Sequence, residues 1–109
     1  MKDFDQTLFR CIDETMAGVM GFIARDALYL DLLTRFSVSR ENLPLHIENL
    51  VGVLEKNLGP VPTRVISRTI AKRLYTELGI EFAEKSEFGL LEYVDEAKTI
   101  LLGNETKHR

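Results

Sequence analysis

Apolar residues recur along this chain at helical spacing. At 100° per residue, Leu8, Phe9, Ile12, Met16, Val19 and Met20 fall within about 120° of arc, while Arg10, Asp13 and Glu14 lie opposite. The pattern predicts a first helix over about 5–18. Gly18 and Gly21 then loosen the chain, because a glycine inside a helix costs about 1 kcal/mol relative to alanine. A bend or break is expected there, with a continuous helix as the alternative. The segment 22–36 is apolar on two sides: Phe22, Tyr29, Leu32, Leu33 and Phe36 form one stripe, and Ile23, Ala27 and Leu30 form another. A helix of this kind is central in a bundle or meets a second chain.

Ser37, Ser39 and Asn42 supply capping groups, and Pro44 suits a first helical turn. Leu43, Ile47, Leu50, Val51, Leu54 and Leu58 then hold one face within about 100° of arc. Gly59, just before Pro60, is expected to close that helix in a left-handed cap. Ile66, Ile70, Leu74 and Leu78, at strict i, i+4 spacing, predict a fourth helix with a narrow core face that ends at Gly79. Ser86 is the expected cap of a fifth, whose face is Leu90, Tyr93, Val94, Ala97, Ile100 and Leu101 and which ends at Gly103. No run of five or more residues alternates apolar and polar with β-branched enrichment, so no strand is expected. The expected architecture is all-α: a compact bundle of four to five short helices without a significant sheet, formed by a single domain over 1–102 with a polar tail at 103–109.

Composition changes this picture little. Of the 109 residues, 45% are apolar and 28% charged, and the net charge is -3. By size scaling, a folded monomer of 12.4 kDa exposes about 6,100 Å² and buries roughly two thirds of its extended-chain surface, so a core is feasible without disulfide or metal. A single cysteine, Cys11, allows no internal bridge, and the acidic start lacks the basic and apolar regions of a signal peptide; both lead to an expected cytoplasmic location.

Candidate chemistry is sparse. His46 and His108 are the only histidines and Cys11 the only thiol, too few and too dispersed for a zinc site. His46 reads as a packed or rim histidine, His108 as part of the tail and Cys11 as a small semi-buried side chain. Neither a nucleophile elbow nor a phosphate-cradling glycine motif is present. No catalytic residue, cofactor or metal is expected, and the chain is read as a non-enzyme. A cluster of Phe9, Met16, Met20, Phe22 and Tyr29 is read as core rather than as a ligand pocket. Charge is organised only in the fourth helix: residues 63–79 carry +3, against -4 over 80–102. Arg64, Arg68 and Lys72 recur every four residues, and Tyr75 shares their azimuth. Such a stripe suits an acidic protein surface, an anion or nucleic acid, although no Asn or Gln on that face would read adenine edges. The main expectation for the stripe is a solvated face of weak ion pairs.

From Ala27 onward the chain resembles a small prokaryotic, largely archaeal, all-helical family, the Nitrosopumilus output domain, fifth type. The resemblance rests on ALYLDLLTRFSVSRENLP, IENLVGVLEKNLGP, VISRTIAKRLYTELGIEF and the weaker FGLLEYVDEAKTIL, and on a helix ending in Leu74-Tyr75-Thr76-Glu77-Leu78-Gly79. The Pro-Val-Pro turn after Gly59 departs from that family's looser, more acidic or glycine-containing turn. The resemblance implies an all-helical domain, alone or appended to prokaryotic signalling proteins, with no catalytic residue to carry over. Together, residues and resemblance lead to an expected helical protein-interaction module. The expected module is a homodimer that self-associates through Ile23, Ala27 and Leu30, with anion, acidic-partner or nucleic-acid contact through Arg64, Arg68, Lys72 and Tyr75 as the alternative.

Overall fold

The computed structural model describes residues 2–107, with side chains placed over 3–103. It is all-helical among those residues, as the periodicity predicts. Helix α1 (Lys2–Phe36) is followed by a 3-10 turn (Leu43–Leu45), α2 (Ile47–Leu58), α3 (Pro60–Leu78) and α4 (Leu90–Lys107). Helix α3 is the central element, packing against α1, α2 and α4. Its buried face is wider than the strict i, i+4 row suggests. Ile66, Ile70 and Leu74 are joined inside by the small residues Thr63, Ser67 and Ala71, which let the neighbouring helices approach closely, and by the ring of Tyr75.

The 35 residues of α1 do not form one rod. Gly18 stays helical, and the break falls at Gly21 alone, with φ 85° and ψ 166°. That region of backbone space is essentially closed to residues carrying a Cβ. The two arms, residues 2–20 and 22–36, turn sharply toward each other. Asp13 and Tyr29, 16 residues apart, would sit about 24 Å apart on a straight helix, yet the Tyr29 hydroxyl donates to Asp13 Oδ1 at 2.8 Å. Arg25 and Arg40 converge on the same carboxylate at 3.4 and 3.5 Å. The Arg40 guanidinium also lies over the Tyr29 ring at 4.9 Å, and Phe9 stacks on that ring at 6.4 Å. Burial, followed by the bond to Asp13, pushes the Tyr29 hydroxyl well above its ordinary pKa, so it remains a donor. Leu28, Tyr29 and Leu32 are buried by this turn. At about 1.5–3 kcal/mol for each buried side chain, their packing outweighs the part-exposed ion pairs in setting the turn.

Gly59 repeats the Gly21 conformation, with φ 87° and ψ 169°, so α2 and α3 meet at one residue. The expected left-handed cap is thus found not at Gly59 but at Gly79, where φ is 71° and ψ 28°. Two further sequence boundaries move. Ser86 does not cap α4; instead Glu92 reaches back and accepts a bond from the Gly89 N–H at 2.7 Å. Gly103 does not end α4, which continues to Lys107 and takes up most of the expected polar tail.

The core runs from Leu8, Ile12 and Met16 through Leu50, Leu54 and Ile70 to Tyr75, Leu90 and Tyr93, all essentially inaccessible. One polar atom in it has no partner: Thr15 Oγ1 is buried without a hydrogen bond. Burying a hydroxyl unpaired costs about 1–3 kcal/mol. Thr15→Val, which keeps the shape and removes the hydroxyl, is therefore expected to stabilise the fold by about 1 kcal/mol, read as a higher urea midpoint at unchanged slope.

Candidate interaction surface

The second arm of α1 presents its unburied side to solvent. Leu28, Tyr29 and Leu32 point inward, so Ile23, Ala27 and Leu30 occupy the opposite side. Ile23 is 90% exposed and Leu30 60%. The other stripe expected on this segment is split by the structure: Tyr29 and Leu32 are buried, whereas Phe22 (68% exposed), Leu33 and Phe36 are not. The apolar surface is thus wider than Ile23, Ala27 and Leu30 alone. Phe22, Leu33 and Phe36 are the residues the sequence misplaced: they share the stripe of Tyr29 and Leu32 but lie where the neighbouring elements, set by the Gly21 turn, leave them open to solvent. For the same reason Phe9, Met16, Met20, Phe22 and Tyr29 do not line one pocket: Met16 is inaccessible in the core and Phe22 stands outside.

Beside this surface runs an open groove of about 640 Å³ between the arm and the C-terminal end of α2, walled by Met20, Ala24, Ala27, Leu28, Leu30 and Leu58, with polar groups at its edge. The flanking acids are each held within the chain. Asp26 pairs with Arg25 at 3.0 Å and Asp31 with Arg35 at 2.6 Å.

The basic stripe of α3 is dispersed by the fold. Arg64 and Lys72 are exposed, and Arg68 pairs with Glu84 at 3.1 Å. Tyr75 does not project between them. It is wholly buried, its hydroxyl 2.8 Å from both the Tyr93 carbonyl and Glu96 Oε1. Its azimuth on α3 faces α4, whose packing the isolated-helix wheel does not contain. Bonds from Lys85 and Tyr75 hold the Glu96 carboxyl below its ordinary range, and burial pushes the Tyr75 hydroxyl up. The aromatic group therefore serves the α3–α4 junction and is lost to any phosphate-facing surface.

A second cleft, of about 820 Å³, lies between the first arm of α1 and α3. Its charges are mostly satisfied across it: Arg10 pairs with Glu77, and Arg73 with Glu14 at 3.6 Å. Cys11 lies at its edge, 2% exposed, and burial pushes its thiol up, which keeps it protonated and unreactive. His46 is an exposed residue joining the 3-10 turn to α2. Among the described residues no three His, Cys, Asp or Glu side chains are grouped to hold a metal, and no helix is long and apolar enough to cross a membrane. His108 lies outside the described set.

The fold and this surface define an all-α helical domain with one unburied apolar arm. Compared with known proteins, the chain matches no family model, no curated sequence and no solved structure.

Proposed function

We propose that this protein is a non-enzymatic helical interaction module that self-associates in the cytoplasm through the outer face of the second arm of α1. The observation that carries this reading is the exposure of Ile23, at 90%, with Phe22 and Leu30 also exposed on the same helical arm. Scattered single apolar residues on a surface are ordinary, but several large ones grouped on one helix, at the upper end of what a monomer exposes, mark a contact site. The global dimensions agree. The accessible surface of 6726 Å² is about a tenth above the ~6,100 Å² expected for this mass, and the radius of gyration is 14.0 Å against about 13 Å for a compact chain of this length. The alternative, anion or nucleic-acid contact through α3, retains Arg64 and Lys72 but has lost Tyr75 to the core and shares Arg68 with Glu84.

The test is light-scattering mass on size exclusion, over a concentration series and at low and high salt. A dimer unaffected by salt is expected, since apolar contact is not screened. Ile23→Asp is expected to shift the mass to that of a monomer with the circular dichroism unchanged. A dimer that dissolves in salt would overturn the reading in favour of the basic face of α3.

A further inference from the structure

The outer face of the arm carries a more specific geometry than exposed apolar area. Ile23, Ala27, Leu30 and Thr34 are spaced 4, 3 and 4 residues apart and lie within about 60° of arc, the pattern of a helix seam that packs against another helix at a shallow angle. All four are exposed. The seam alternates in size, a large residue next to a small one. Scaled by fractional exposure, Phe22, Ile23, Leu30, Leu33 and Leu58 present roughly 600 Å², above the ~500 Å² per partner that a specific interface needs at minimum.

Charge and size together set the orientation, the charge contribution being reduced because Arg25 pairs with Asp26 and Arg35 with Asp31 within each chain. On this seam Asp26 and Asp31 occupy the two flanks, five residues apart. In a parallel pair, flanking residues five apart face each other across the interface, which would set Asp26 against the partner's Asp31 on both sides. Like charges so placed repel. An antiparallel pair brings each flank against its own kind, and then Asp26 meets the region of the partner's Leu33, and Ala24 that of the partner's Asp31. Size points the same way. With the symmetry axis midway between Ala27 and Leu30, Ala27 lies opposite the partner's Leu30, and Ile23 opposite the partner's Thr34. Each layer joins a large side chain to a small one, and Ile23 reaches into the groove beside the partner's Leu58.

We propose that a second copy of this chain packs antiparallel along residues 22–36, with Ala27 and Leu30 interlocking reciprocally across a two-fold axis. The inference rests on the self-association reading above and specifies its partner and register. Such an interface is closed, the same patch serving both copies, so it yields a dimer rather than a filament.

Two measurements test it. In dilution series, Ala27→Leu and Leu30→Ala are each expected to weaken the dimer tenfold or more, the first by overfilling and the second by leaving a hole. The double variant, which exchanges the two sizes, is expected to return to within about threefold of the parent. Ala27→Leu adds apolar area, so a plain hydrophobic contact would tighten; that result, or additive losses in the double variant, overturns the interlock while leaving self-association standing. Under mild oxidation, a mixture of Ile23→Cys and Thr34→Cys chains is expected to form crossed disulfides that Ile23→Cys alone does not. Self-crosslinking of Ile23→Cys would establish the parallel arrangement and overturn the proposal. A parent chain that stays monomeric at about 200 μM overturns the self-association reading itself.

Discussion

Replacing Tyr93 by alanine is expected to cost about 3–5 kcal/mol, the range for emptying a buried aromatic site. The total stability of a domain this size is about 5–15 kcal/mol, so the variant would melt far lower or not fold at 37 °C. Tyr93 is wholly buried on α4, with the rings of Phe82, Phe88 and Tyr75 at 5.3, 5.1 and 6.3 Å around it. Its hydroxyl also accepts from the Lys85 N–H at 2.9 Å and donates to the Lys85 carbonyl at 3.1 Å, so one side chain anchors the irregular segment between α3 and α4. Tyr93→Phe separates the two contributions. It keeps the ring packing and strands the two Lys85 backbone groups, for an expected loss of about 1–2 kcal/mol. Chemical denaturation of both variants checks the ratio. A Phe loss equal to the Ala loss would mean that the hydroxyl, not the ring, holds the segment.

Gly21→Ala is expected to lose about 1–3 kcal/mol, while Gly18→Ala, three residues earlier, gains up to about 1 kcal/mol. A Cβ at either position meets nothing within 4 Å, so crowding does not distinguish them. Backbone conformation does: Gly18 is helical, whereas Gly21 sits at φ 85°. An alanine at 21 has two outcomes. It can hold the strained turn, or it can go helical and straighten α1, which draws Leu28, Tyr29 and Leu32 out of the core and parts Asp13 from Tyr29. Either outcome lowers the thermal midpoint, by about 4–8 °C for each kcal/mol. An unchanged midpoint for Gly21→Ala would show that the turn is not held by glycine. Because the arm's direction determines which apolar residues face solvent, the same variant is expected to disturb the proposed self-association, as Gly18→Ala is not.

How far the residues alone reveal the surface depends on the neighbour each one meets. Ile23, Ala27 and Leu30 were legible because a helix apolar on two sides must either be surrounded or meet another chain, and periodicity exposes both stripes. Phe22 and Leu33 were not, since a helical wheel ranks residues by azimuth and says nothing of which azimuths other elements cover. Tyr75 failed for the converse reason: it sits at the same azimuth as Arg64 and Arg68 on α3, but α4 packs there and takes its hydroxyl. Ser86 is a good cap by residue type, yet the Lys85–Tyr93 bonds hold the preceding chain in place and the helix starts four residues later, where Glu92 can reach the Gly89 N–H.

What the sequence determined by itself is the all-helical class, the order of the helices and the main stops at Gly59 and Gly79, because these follow from spacing, capping chemistry and backbone freedom within a few neighbouring residues. Only the tertiary structure decided that Gly21 rather than Gly18 is the turning point, that Tyr75 belongs to the core, and that Phe22 joins Ile23 on an open face. Each of these depends on contacts between residues 16 or more apart along the chain or on different helices, where the free energy of burial on two elements outweighs the preference of either one.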